Sequence, residues 1–412
     1  MTVNSNDEFL LKHSRFNKIG WPVRNFFYDF PHRSKKYFEF FSNVARKRYT
    51  FKSTKCICGA NDDLTISLND RAGVEFPTVI CRNCGLIRAK EYFSDEDASD
   101  FYTHHFWRIE NELDEDEIED PDEVFENLRL SGITKSNLIK KFMGYSNEKP
   151  VVVDIGGRIG GVLYNFLPDC HVVLADYFEP YLDYARNKNI ETVIGGLESI
   201  TFKPDVIILS HVVEHWTNFE NEIQNLIKIQ KPNQTLTYLE FPGIDSLKKG
   251  RRDGDLLGDI YFPHMHYFAS YVIEDIMSRY GFEKVYLDSE IKGIFRYTGK
   301  KKTTVANNFL RVKNDLEIAE NNRFKYTALS YIRKSIPTTL LNLFRKIRKP
   351  MFRFYGLNVI FEFGIMHRYS LRRLRGLFCR SSSSNQNFGL YLMPRYDTGP
   401  LYLNACMISK KH

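Results

Sequence analysis

The chain has 412 residues, 43% of them apolar and 26% charged, with a formal net charge of +7, which suits two or three domains of about 100 to 200 residues each. That composition excludes a collagen-like, largely disordered or small disulfide-stapled protein. No run of 18 apolar residues reads as a membrane span, and the opening MTVNSNDEFLLKHSRF carries acids but no apolar stretch, so no secretory signal and a cytoplasmic setting are expected. The charge is unevenly spread. From Arg296 to the end, 23 Lys/Arg face 5 Asp/Glu, which leaves the first 295 residues net acidic. Residues 110–126 alone hold 11 acids and no base. Such a split argues for separate modules with different partners.

Residues 1–50 are rich in Phe, Tyr, Arg and Lys, with helical stretches interrupted at Pro22 and Pro31. Residues 51–109 contain short strand-like runs (TISL, FPTVI) and four of the seven cysteines. These read Cys56-x-Cys58-Gly, then a spacer that holds the strand-like runs, then Cys81-x2-Cys84-Gly. Two Cys-Gly knuckles on hairpin turns are how a zinc ribbon offers four thiolates to a tetrahedral Zn²⁺. Free thiols in a packed domain, or a redox pair, are the alternatives. A closed four-cysteine site would be structural, with no open position for catalysis. Cys170, Cys379 and Cys406 are scattered and read as ordinary buried thiols. Residues 110–126 form an acidic linker or a solvated helix start, and apolar residues at helical spacing follow from 124 to about 150.

From Pro150 the texture changes. VVVDIGG, HVVLADY, ETVIGG, PDVIILS and TLTYLEF are apolar runs of strand length, separated by the helical stretches YLDYARNK and NFENEIQNLIKIQ. Strands alternating with helices predict an α/β fold with a doubly wound, Rossmann-like parallel sheet, and such sheets bind ligands at the carboxyl ends of their strands. The first strand runs into the loop DIGGRIGG, which holds Asp154, Gly156, Gly157 and Gly160, and then into a helix. Glycines let the backbone approach a ligand, and the helix N-terminus offers free N–H donors. Asp176, at the end of the next strand, has the spacing from Asp154 that places an acid to take the two hydroxyls of a ribose.

The loop resembles the first motif of class I S-adenosylmethionine-dependent methyltransferases, DxGxGxG, through Asp154, Gly156 and Gly160. Arg158 replaces the central glycine, where it would crowd the methionine part of the cofactor or contact its carboxylate. LADYFEPYLDYAR (174–186) resembles the strand-acid-helix segment of that family. GGLESITF (195–202) resembles its adenine-side segment, with Gly196 at the acidic position and Leu197 and Glu198 following. FKPDVIILSHVVEHWTN (202–218) and KPNQTLTYLEFPG (231–243) resemble the stretches around its fourth and fifth strands. The resemblance implies S-adenosylmethionine as cofactor, held by Asp154, Gly156, Gly157, Gly160, Asp176, Leu197, Glu198 and His211. ICRNCGLIRAKEYFSDEDASDFYTHHFW resembles the zinc-binding domain fused to some sugar methyltransferases.

Methyl transfer to a hydroxyl or carbon acid needs a general base within hydrogen-bond reach. HVVEH places His211, Glu214 and His215 just past a strand end, and an imidazole can take a proton near neutrality. His215 is therefore a candidate base, with Glu214 beside it; alternatively the pair caps a helix and shapes the cofactor pocket. In DIYFPHMHYF, His264 and His266 share a face if the segment is extended, and a metal there would need a third ligand. Acceptor-site lining by His264 is the favoured reading. Related sugar C-methyltransferases read YHEH at this segment, where this chain has YFPH (261–264), so O- or N-methylation is at least as well supported as C-methylation.

The expected organisation is an aromatic and basic N-terminal region (1–50), a zinc-binding domain (51–109), an acidic linker (110–126), a methyltransferase domain (127–295) and a helical basic C-terminal extension (296–412). Residues 333–380 carry 12 Lys/Arg and one acid, a pattern suited to peripheral contact with an anionic membrane or to phosphate-bearing substrates. The expected function is methylation of a sugar nucleotide or glycan in surface-polysaccharide or secondary-metabolite synthesis. A nucleic-acid methyltransferase is the rival reading, disfavoured because no segment of the Asn/Asp-Pro-Pro-Tyr/Phe type follows the fourth strand. A degenerate, non-catalytic binding protein is the third.

Overall fold

The computed structural model describes residues 10–21, 31–110, 112, 119–144 and 148–335. Pro22 and most of the basic stretch 333–380, with Cys379 and Cys406, lie outside the described residues. Among those described, no helix is long and apolar enough to cross a membrane.

The cysteine-bearing region is built from short strands: β1 (Phe51–Ser53), β2 (Asp63–Asn69), β3 (Glu75–Cys81), β4 (Ile87–Ala89) and β5 (Glu91–Phe93). Strands β2, β3 and β4 form an antiparallel meander, and β1 pairs with β5. Helix α1 spans Pro31–Phe40. Ser94 caps α2 (Asp95–Phe101) by accepting the Asp97 N–H, with three acids in the first turn. A π-helical turn, Tyr102–Phe106, follows directly.

Helix α3 spans Pro121–Lys140. It starts inside the acidic stretch because Asp120 accepts the Asp122 N–H as N-cap and Pro121 is the first helical residue. It stops at Lys140, short of the end near 150 that apolar spacing suggested. Strands β6 (Val151–Ile155), β7 (His171–Asp176), β8 (Glu191–Ile194), β9 (Val206–Ser210) and β10 (Leu236–Glu240) match the five apolar runs of the sequence and pair in parallel. Helices α4 (Gly161–Tyr164), α5 (Glu179–Asn187) and α6 (Phe219–Lys228) lie between them.

After the two-residue strand β11 (His266–Tyr267) and helix α7 (Ser270–Arg279), the hairpin β12 (Phe282–Leu287) and β13 (Lys292–Tyr297) completes the sheet, with β13 antiparallel to both neighbours. The order is β12-β13-β10-β9-β6-β7-β8. The direction of winding reverses between β6 and β9, and the crevice outside their carboxyl ends is where such sheets take ligands.

Burial on both faces explains the unbroken apolar runs. Val153, Ile155, Ile207 and Leu209 enter one core, and Val152, Val206 and Ile208 the other. The first core is continuous with Phe76, Ile80 and Ile87 of the cysteine-bearing region. The two regions also share a sheet, since β11 pairs with β4, His266 opposite Arg88 and Tyr267 opposite Ile87. Beyond 295, β13 runs to Tyr297, and α8 (Phe309–Ser335) packs against residues 244–254.

Candidate functional site

Strand β6 delivers Asp154 to the crevice, and the glycine loop follows as a tight turn. Gly156 and Gly160 take φ of +66° and +80°, and the Gly156 N–H donates to the Ala175 carbonyl at 2.8 Å, tying the loop to β7. Gly157 lies against the Asp154 carboxyl. Asp154 is 2% exposed. Burial pushes its carboxyl up to about 7, against the pull of the Lys135 ammonium. Lys135, on α3, is 2.6 Å from Glu240 Oε2 and donates to Ser210 Oγ at 2.7 Å.

At the end of β7, Asp176 Oδ2 accepts the Arg158 N–H and Oδ1 accepts the Phe178 N–H, both at 3.0 Å. Burial raises this carboxyl, and the two backbone donors oppose that rise. One lone pair on each oxygen is left for a ligand. The Arg158 guanidinium pairs with Glu119 at 2.5 Å and donates to Tyr181 Oη at 3.2 Å. Glu119 stands in the acidic stretch just ahead of α3, which is why the loop alone gave no sign of it.

The end of β8 shows how Gly196 can replace an acid. A Cβ there would lie 2.8 Å from Glu198 Oε2 and 2.9 Å from Tyr177 Oη, so the missing side chain makes room for both. Glu198 Oε1 accepts the Gly196 N–H and the Tyr177 O–H, each at 2.8 Å. A carboxylate thus stands beside the crevice, two residues later than the family pattern has it. Leu197, by contrast, is buried in the main core. Tyr177 is 70% exposed, and Phe178 and Ile194 are also exposed, an apolar surface at the carboxyl edge of β7 and β8.

Past the end of β9, His211 adopts φ of +57°, its N–H bonded to the Glu240 carbonyl at 2.7 Å. Its Nδ1 is 3.1 Å from Glu214 Oε1, and the neighbouring carboxylate raises its pKa against the cost of desolvation. Glu214 is 2% exposed. His215 Nδ1 lies 2.7 Å from Tyr102 Oη and 2.9 Å from the Pro263 carbonyl. Tyr102 and Tyr92 donate to that same carbonyl at 2.6 and 2.7 Å. The His264 ring sits 4.8 Å from the His215 ring, and burial lowers the pKa of both. His211, Glu214, His215 and His264 are therefore brought together. His266 is not: it packs within β11 against Phe219 and Phe268. The bend at Met265, between the two histidines, breaks the extended geometry that would have put it beside His264.

Sequence reasoning missed Tyr102, whose partner His215 belongs to a different region of the chain, and it missed Lys135 and Tyr177. It also missed the brace that the N-terminal region forms around residues 260–267. Arg71 N–H donates to the Ile260 carbonyl at 2.9 Å, Phe262 N–H to Asp70 Oδ2 at 3.1 Å, and Ala89 N–H to the Met265 carbonyl at 2.9 Å. The Arg71 guanidinium lies 3.5 Å over the Tyr261 ring.

The four clustered cysteines converge. Sγ separations are 3.4 Å for Cys56–Cys84, 3.4 Å for Cys56–Cys58 and 3.6 Å for Cys58–Cys81. A disulfide would need about 2.05 Å, whereas four sulfurs about 2.3 Å from a tetrahedral zinc lie about 3.8 Å apart. The set therefore fits a four-thiolate metal site. Hydrogen bonds among the sulfurs pull the Cys81 thiol down to about 6 and push Cys56 up. Gly85, with φ of +77°, follows the second knuckle, where a Cβ would lie 2.9 Å from the Asn308 backbone.

Residues 131–287 match the family model described as a methyltransferase domain. The protein thus carries a methyltransferase domain, and its class is that of methyltransferase enzymes on a Rossmann-like α/β sheet. No curated protein matches the sequence. Among solved structures it is similar to a SAM-dependent methyltransferase from Thermotoga maritima (14% identity, 43% of this chain and 89% of that one, TM-score 0.30). It is also similar to the plantazolicin methyltransferase in complex with a monoazolic substrate analog and SAH (16%, 54% and 88%, TM-score 0.34). A third is the mitomycin 7-O-methyltransferase (18%, 40% and 54%, TM-score 0.32).

Proposed function

We propose that the protein transfers a methyl group from S-adenosylmethionine to a sugar nucleotide or glycan, and that Cys56, Cys58, Cys81 and Cys84 hold a structural Zn²⁺. The observation that carries the cofactor reading is the Asp176 carboxylate at the end of β7, steadied by two backbone N–H groups with a lone pair left on each oxygen. In this reading those lone pairs take the two ribose hydroxyls. Tyr177 and Glu198 flank the adenine, and Asp154, Gly156, Gly157 and Gly160 border the methionine portion. The cofactor supplies an activated methyl on a sulfonium, so the protein's task is to hold the acceptor oxygen in line and keep water out.

The acceptor end is the group Glu214, His215 and His264, framed by Tyr102 and Tyr261. A Cβ on Gly156 would lie 3.3 Å from Val212, two positions before Glu214, so this group stands next to the glycine loop. A hydroxyl acceptor loses its proton as the new bond forms, and the polar groups available to receive it are the ring nitrogens of His215 and His264. Sugar substrates rest on the resemblance of the cysteine-bearing domain. The test is mass spectrometry of S-adenosylmethionine with a panel of sugar nucleotides. A product heavier by one CH2, a methyl in place of a hydrogen, that is absent with Asp176→Ala supports the reading, and cofactor turnover only with polynucleotide acceptors overturns it.

A further inference from the structure

We infer that Glu214, His215 and His264 together bind a divalent transition-metal ion, of the Zn²⁺ or Co²⁺ kind, at the acceptor end of the crevice. A carboxylate oxygen of Glu214 and one ring nitrogen from each histidine lie within 4.8 Å of one another. Ligands about 2.1 Å from a common cation are about 3.0 to 3.4 Å apart, so small side-chain rotations close the set. Two imidazoles and one carboxylate suit a borderline cation and leave positions open for a substrate oxygen.

Three further observations point to a cation. Glu214 is 2% exposed, and its Oε2 has no hydrogen-bond partner among the described residues, while Oε1 is taken by His211 Nδ1. A buried carboxylate oxygen without a partner is costly, and a metal ion would satisfy it. The second is the tautomer of His215. An unprotonated Nδ1 would face the Pro263 carbonyl lone pair to lone pair at 2.9 Å. Assigning the proton to Nδ1 lets it donate to Tyr102 Oη, while the Tyr102 and Tyr92 hydroxyls fill the two acceptor sites of the carbonyl. That leaves the ring's lone pair on Nε2, the arrangement by which metal-bound histidines are fixed. The third is His264, which meets its neighbours through ring contacts with His215, Tyr261 and Tyr267. The Met265 N–H donates to the Glu214 carbonyl at 2.9 Å and locks the two segments together.

This deepens the proposed function and rests on that reading of the acceptor end. An alcohol oxygen bound to the cation ionises at much lower pH, which suits a hydroxyl acceptor such as the diol of a sugar. With both histidine nitrogens on the cation, the proton leaves to water instead of to them, the O–C bond forms as the C–S bond breaks, and the electron pair stays on sulfur.

The test is equilibrium dialysis of the full-length, zinc-loaded protein against Co²⁺, without cofactor or acceptor, read by metal analysis and visible absorption. One Co²⁺ per chain without thiolate charge-transfer bands is expected, with affinity at least tenfold weaker in both Glu214→Gln and His264→Ala. Retained zinc and an unchanged melting temperature certify each variant as folded, and His264→Ala stands in should the buried Glu214→Gln fail. No Co²⁺ uptake by the wild type, or equal uptake by folded variants, overturns the inference. Because the readout involves no methyl transfer, that failure would leave the cofactor reading to its own test.

Discussion

Asp154 sits under the glycine loop almost without solvent, and its carboxyl is lifted from an ordinary 3.8 to about 7, chiefly by burial. A carboxyl raised in the folded state favours folding fully at pH values below 3.8, and that contribution is lost as pH rises through 7. Each tenfold change in proton affinity is worth about 1.36 kcal/mol, so ionising Asp154 costs about 4 kcal/mol in all. Between pH 5 and pH 8 the linkage relation gives a loss of about 3 kcal/mol. Asp154→Asn removes the titration with little change of shape. Urea unfolding of both proteins at the two pH values isolates the effect, since all other groups titrate alike. The variant is expected to gain on the wild type by about 3 kcal/mol from pH 5 to pH 8, with unchanged m-value. Parallel pH dependences for the two proteins would refute the argument, because they would mean that Lys135 holds the carboxylate ionised throughout.

Cys81→Ser is expected to lower bound zinc from one equivalent per chain to well under a half by metal analysis, and to expose β2–β4 to limited proteolysis, since structural zinc sites contribute directly to folding. Gly85→Ala forces an L-residue to a φ of +77° with its Cβ 2.9 Å from the Asn308 backbone, and it should cost about 2 kcal/mol or more in urea melts. Glu198→Ala removes the carboxylate held by Tyr177 and the Gly196 N–H. It should weaken S-adenosylhomocysteine binding about tenfold, as the loss of one charge-assisted contact implies.

The parallel sheet was legible because its central strands are short apolar runs buried on both faces, and its edge strand β8 is a short apolar run followed by glycine. Val153 and Ile155 enter one core while Val152 enters the other, so periodicity could not mislead. The cysteine cluster was legible from its two Cys-Gly knuckles, even with the first shortened to Cys-x-Cys. What stayed hidden were partnerships distant in sequence. Arg158 looked like an obstruction because its partner Glu119 stands in an acidic stretch that read as a linker. Tyr102 bonds His215 only because the π-helical turn after α2 aims its hydroxyl there. The third member of the histidine cluster, Glu214, was in plain view, but nothing in the sequence brought it to His264. That juxtaposition depends on β11, a two-residue strand too short to foresee, joining the sheet of the cysteine-bearing region.

The central claim is that the crevice at the ends of β6 and β7 binds S-adenosylmethionine through Asp176. Titration calorimetry with S-adenosylhomocysteine measures it directly. The wild type is expected to bind with micromolar affinity, and Asp176→Ala, which loses two charge-assisted hydrogen bonds of about 1.5 to 3 kcal/mol each, to bind at least a hundredfold more weakly. Absence of binding by metal-replete wild-type protein, or undiminished binding by the folded variant, would contradict the account.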